Sequence, residues 1–136
     1  MSSFSSIDIS ASGLFAQRTR LDAIANNIAN ASTTRTDRGG PYRRQEVIFR
    51  AHSGRLEPGN GGVEVDSVIE SSDPPRMVYD PAHPDAGPDG MVAMPNVNIV
   101  EEMVDMITAT RAYEANVQAI NAARSMVSKA LEIGRA

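Results

Sequence analysis

The chain reads as a mainly α protein, with long N- and C-terminal helices pairing as a coiled-coil-like hairpin and a small irregular β region between them. Three observations predict this. All eight prolines and eight of the ten glycines fall between Gly39 and Pro95. Proline breaks a helix interior, so the two ends are free to be long helices and the middle is not. Both ends carry apolar residues at three-, four- and seven-residue spacings, the pattern of helices that pack side by side. Aromatics are scarce, with three Phe, three Tyr and no Trp. A compact core usually leans on aromatic area, so burial between chains is expected. The expected organisation is an N-terminal helix within 1–34, a β and loop region over 35–95, and a C-terminal helix within 96–136, the two helices forming one helical core.

The first helix is expected to begin near Ser5 or Ser6, where Ser5 and Asp8 have capping-box spacing. Ile7, Leu14, Leu21 and Ile28 then recur every seven residues, with Ala11, Ala25 and Ile24 between or beside them. Gln17 and Arg18 interrupt the stripe. The helix should fade between Ala31 and Thr34. Asn26, Asn27 and Asn30 stand near its end although asparagine is a poor helix former. Either their amides bond across to a neighbouring helix and fix register, or the helix frays there and they cap it.

The middle reads as short strands and turns. Tyr42–Ala51, Gly62–Ile69 and Arg76–Tyr79 are the strand candidates, with Gly59 to Gly62 as the turn between the first two. Asp80–Gly90, with three prolines and two glycines, is an irregular connector. So few short strands are marginal alone and should pack on a helix or a neighbour.

The last helix is expected to start at Asn98, whose spacing to Glu101 again fits a capping box. Ile99, Met103, Met106, Tyr113, Val117, Ile120, Val127 and Leu131 form its main stripe, with Gly134 as a stop. About 35 residues make a rod of roughly 50 Å. Val100, Val104 and Ile107 lie off this stripe, and Ala112, Ala119, Ala123 and Ala130 form a line of small residues. One partner helix needs one stripe, so either this helix meets more than one neighbour or one broad stripe faces a single core.

Composition excludes several function classes. The net charge of −4 argues against nucleic acid as a partner. Arg35, Arg38, Arg43 and Arg44 make a local basic cluster, read as a solvated loop or as a contact with acidic groups of a neighbouring subunit. There are no cysteines, hence no disulfides, thiolate catalysis or cysteine-ligated zinc. The sequence holds no apolar run long enough to span a membrane and no pattern of a cleaved secretory signal. No catalytic, metal or cofactor site is expected. His52 and His83 lie far apart in the chain, and Asp80, Asp85 and Asp89 depart from calcium-loop spacing. Glu101 and Glu102 suit the positive end of a helix dipole, and the methionines read as packing residues.

The segment from Ser12 to Asn30, and above all Ala25-Asn26-Asn27-Ile28-Ala29-Asn30, resembles the N-terminal signature of bacterial flagellar axial proteins, the family of rod, hook and hook-associated subunits. Met94 to Val104, with Arg111-Ala112-Tyr113-Glu114-Ala115-Asn116-Val117, is similar to the family's C-terminal segment in the form found in the proximal rod. Gly40-Pro41-Tyr42-Arg43-Arg44, Gly61-Gly62-Val63, Val68-Ile69-Glu70-Ser71 and Val78-Tyr79-Asp80-Pro81 resemble the short central region of proximal-rod members. Met91 departs from the pattern, standing where an aromatic is expected.

The resemblance implies a structural subunit of the proximal rod, stacked helically with its own copies into a hollow, torque-transmitting shaft and export channel. It implies export through the flagellar type III apparatus without a cleaved signal, a periplasmic location, and contacts with other rod proteins and the adaptor to the export gate. The expected assembly residues are Ile7, Leu14, Leu21, Ile24, Asn26, Asn27, Ile28 and Asn30 with the main stripe of the last helix. The alternative is a soluble helical adaptor or secretion chaperone of the export system, which would show the same faces without self-assembly.

Overall fold

The computed structural model describes residues 3–52 and 61–135. Helix α1 spans Ser3–Ala29 and helix α2 spans Ile99–Gly134. Between them lie β1 (Gln45–Ala51), β2 (Val63–Glu70), β3 (Arg76–Tyr79) and β4 (Met91–Met94). The mainly α hairpin with a small β region is the fold observed.

The two helices are antiparallel. Asn27 bonds to Glu102, and a Cβ placed on Gly13 would meet the Asn116 side chain. The steps from Asn27 to Gly13 and from Glu102 to Asn116 are equal and run in opposite chain directions. Continued to Ser3, the same step reaches Met126, so α2 extends from about Val127 past the described start of α1.

The seam is made of small residues. On α1 it holds Gly13, Ala16, Ala23, Ile24 and Asn27, all buried. On α2 Glu102, Ala109 and Ala123 are buried and Asn116 is half-buried, one residue every seven. Small side chains let the backbones approach closely. Gly13 marks a close approach, where an added methyl carbon would come within 2.8 Å of Asn116 Oδ1. This corrects the expected seam. Ile7, Leu14, Leu21 and Ile28 are half-buried and lie to one side of it, while Ala11 and Ala25 are exposed. Of the alanine line on α2, Ala119 and Ala130 are exposed. Gln17 is half-buried, and its Oε1 has no hydrogen-bond partner among the described residues.

The ends of the helices differ in how they are made. Asn98 caps α2, its Oδ1 accepting from the amides of Val100 at 3.1 Å and Glu101 at 3.5 Å, as expected. At the other end the helix runs through Gly134 to an Arg135 cap in ordinary right-handed geometry, so Gly134 is its last residue and not a left-handed stop. Helix α1 already begins at Ser3, so Ser5 lies inside it and the expected capping box does not open it. It closes where Asn30 Nδ2 donates to Asn26 O and Thr33 Oγ1 donates to Asn30 Oδ1.

The β region is two separate antiparallel pairs, β1–β2 and β3–β4. In the first, the register shifts between Ile48 and Phe49, where Asp66 is the extra residue of a bulge. This pair lies against α1. Val63 N donates to Ser12 Oγ at 3.1 Å, and the Arg20 guanidinium stands 5.8 Å from the centre of the Phe49 ring. Half of the expected turn over Gly59 to Gly62 lies outside the described residues. Strand β3 does not extend the first sheet. It pairs with β4, an element the sequence reading did not anticipate. The connector between them turns at Gly90, whose φ of 75° favours glycine, and a Cβ there would meet the Tyr79 ring at 2.8 Å.

Candidate functional site

Two features of this fold are unusual for a chain of its size: a charged cluster buried where three elements meet, and an apolar helix face left in solvent. The cluster is built on Asn27, in the last turns of α1, which is 1% exposed. All four hydrogen-bonding positions of its amide are used. Nδ2 donates to Gln45 O at 2.9 Å and to Glu102 Oε2 at 3.0 Å. Oδ1 accepts from the Tyr42 hydroxyl at 2.9 Å and from Gln45 N at 2.8 Å. The side chain thus pairs with the backbone of the first residue of β1 much as a neighbouring strand would.

Glu102, in the first turn of α2, is completely buried. Its second oxygen accepts from Arg44 Nε at 2.5 Å. The Arg44 guanidinium also lies 3.8 Å from both Glu46 and Asp105. Burial works against its charge, but the bond to Glu102 and the surrounding carboxylates outweigh that and raise its pKa further. Burial, with the negative charges of Glu102 and Glu70, likewise pushes the Tyr42 hydroxyl above its ordinary value and keeps it a donor. One buried carboxylate therefore joins α1, α2 and the start of β1. The sequence reading gave Glu102 only a helix-dipole role and missed this. Its pairing with Arg44 spans 58 positions of the chain, and no local spacing signals it.

The three asparagines divide. Asn27 bonds across to the other helix, Asn30 closes its own, and Asn26 is exposed with its carbonyl accepting from Asn30. The four arginines divide too. Arg35 pairs with Asp85, Arg38 with Glu70 and Arg44 with Glu102, all within the chain. Arg43 is exposed and has no ion pair among the described residues. It lines shallow clefts beside Pro41 and Tyr42.

The second feature lies on the side of α2 away from α1. Ile99, Val100, Met103, Val104 and Ile107 are 46%, 69%, 54%, 57% and 57% exposed. At 100° per residue they form one continuous face that runs from the flank of the seam, at Ile99 and Met103, round to Val100, Val104 and Ile107 on the side opposite Glu102 and Ala109. Of the expected main stripe, Met106, Tyr113, Val117 and Ile120 are half-buried toward α1, and Val127 is half-buried where α2 passes the described start of α1. Ile99 and Met103 belong to the outer face, and Leu131 is exposed on the overhanging end. Ile24 is buried in the α1–α2 seam.

The two histidines of the chain lie apart among the described residues. His52 stands 3.5 Å from Glu64 on β2, while the His83 ring accepts from the Asp85 amide within the connector. Among the described residues no group of three or more His, Asp or Glu is placed to hold a metal. No described helix is long and apolar enough to cross a membrane.

The fold is an antiparallel helix pair with a small β insertion and an exposed apolar face, and comparison with known proteins gives its class. Residues 7–35 match the family described as flagella basal body rod protein, and residues 89–133 match the family described as flagellar basal body rod FlgEFG protein C-terminal. The whole chain is also similar to proteins called flagellar basal-body rod protein FlgC. That of Borreliella burgdorferi is 50% identical, covering 98% of each chain. That of Bacillus subtilis is 42% identical, covering 99% of this chain and all of the relative. That of Salmonella typhimurium is 44% identical, covering 94% of this chain and 95% of the relative. The chain belongs to the FlgC family of flagellar basal-body rod proteins.

Proposed function

We propose that this chain is a structural subunit of the proximal rod of the bacterial flagellum, that it carries out no catalysis, and that it assembles helically with its own copies and with neighbouring rod proteins. Family membership supports the rod. The observation that carries the assembly mode is the exposed face of α2, with five large apolar side chains running from the flank of the α1 seam to the far side of the helix. Leaving such a face in water is costly, at about 25 cal/mol for each Å², and contiguous exposed apolar surface marks a contact site. A shaft that transmits torque needs many parallel contacts between stiff elements, and long helices supply them. The half-buried Ile7, Leu14, Leu21 and Ile28 would add a second contact along the flank of α1. Location in the periplasm, signal-less export through the type III apparatus and contact with the export-gate adaptor follow on the same reading.

The test is Val104→Asp, at a position 57% exposed in the single chain. The purified variant should keep the helical circular dichroism of the parent, because the change faces solvent. In a strain lacking the native gene it should fail to restore motility, because a charge now lies in a subunit contact. Full motility with rods of normal length would refute the assignment of this face.

A further inference from the structure

The α1–α2 seam is poor in information. Gly13 meets α2 at Asn116, and on α2 the seam residues recur every seven positions as Ala109, Asn116 and Ala123. Displaced by one heptad, Gly13 would meet Ala109 or Ala123 in place of Asn116, with as little steric conflict. The half-buried Met106, Tyr113, Val117 and Ile120 continue along the same face and would slide with it. Packing therefore admits several registers about 10 Å apart, the length of seven helical residues.

The polar cluster admits one. Only in the observed register does Glu102 meet Asn27 at 3.0 Å and Arg44 at 2.5 Å. In either displaced register Asn27 would face Ala109 or the segment before α2. Glu102 would lose the Asn27 amide, and Asn27 would still be tied to Gln45 with one donor hydrogen unused. A buried polar group that finds its partners in one alignment alone selects that alignment. We propose that Glu102 and Asn27 are the register key of the helix hairpin: they choose which turn of α2 faces which turn of α1, and thereby fix how far α2 extends beyond α1. The claim concerns the single subunit and stands apart from the assembly reading, although a displaced register would move the outer face of α2 out of place for any neighbour.

Cysteine pairs read the register directly, since the native chain has none. Asn116 Cγ lies 3.0 Å from where a Cβ on residue 13 would stand, so cysteines at 13 and 116 are within disulfide reach, whereas 109 and 123 are about 10 Å away along the helix. Gly13→Cys is combined in turn with Ala109→Cys, Asn116→Cys or Ala123→Cys, and each purified subunit is equilibrated in a glutathione redox buffer. With Glu102 present, only the 13–116 pair should close. With Glu102→Leu, and equally with Asn27→Leu, the 13–109 or 13–123 pair should close to at least a tenth of the 13–116 yield. Glu102→Gln, which keeps a hydrogen-bonding group at the site, should restore preference for 13–116. Exclusive closure of 13–116 in both leucine variants would overturn the proposal, because packing alone would then set the register. Loss of helical circular dichroism in both would overturn it too, because the cluster would then hold the helices together without choosing between alignments.

Discussion

Glu102 is the residue whose removal should matter most to the single subunit. Taking away one partner of a buried ion pair costs about 3–5 kcal/mol, and since Arg44 is 29% exposed the lower end applies. Glu102→Ala should therefore lower unfolding stability by about 3 kcal/mol, read as a shift in the urea midpoint of the purified protein. A shift within error of the parent would mean that the cluster is not closed in solution. Gly13 gives a second, opposite test. An alanine there gains about 0.5–1 kcal/mol of helix propensity but places its methyl against Asn116. Gly13→Ala should stabilise the Asn116→Ala variant by that amount and stabilise the parent by less or not at all. Equal effects in the two backgrounds would remove the close helix approach from the account. At this scale the sequence was half legible. Three asparagines in a helix signalled a specific use, and Asn27 has one. Glu102 did not stand out, because an acidic residue in a first helical turn already has an ordinary explanation in the helix dipole.

At the scale of elements, both long helices and three strands were legible from proline placement, apolar periodicity and turn residues. Strand β4 was not. Met91–Met94 lies between Gly90 and Pro95 at the end of the turn-rich connector, with nothing local to set it apart, and it exists because β3 offers it a ladder. Of the expected α1 residues the seam holds Ile24 and Asn27, and the heptad stripe lies beside it for a related reason. Periodicity finds the largest apolar side chains, whereas close packing is done by the smallest. The connector between β3 and β4 is tied back to the segment after α1 by Asp85, which accepts from Thr34 Oγ1 at 2.7 Å and pairs with Arg35. The Thr34 bond, then that to Arg35, holds the Asp85 carboxyl below its ordinary 3.8. A depressed carboxyl pKa contributes stability above the unfolded value, lost as pH falls through the lower folded value. This tie should thus persist below pH 3.8 and release only in stronger acid. An NMR titration of Asp85 should give a midpoint below 3.8 that rises toward it in Thr34→Ala. A midpoint that Thr34→Ala leaves unchanged would remove the threonine as the cause.

At the scale of the whole molecule, the subunit is a stiff antiparallel helix pair with one side finished and the other left open. The finished side is small-residue packing keyed by a buried ionic cluster, and the open side is the apolar face from Ile99 to Ile107. The sequence showed apolar residues off the main stripe of α2 and left open whether they meet a second neighbour or widen a single stripe. Which stripe faced α1 needed the cluster, whose contacts join parts of the chain that lie far apart in sequence. The central claim is that this subunit is part of the rod, and the most direct measurement is quantitative mass spectrometry of hook–basal bodies purified from the source bacterium. The account predicts this chain's peptides in fixed proportion to those of other rod proteins, retained through high-salt washing. Intact basal bodies without these peptides would contradict it.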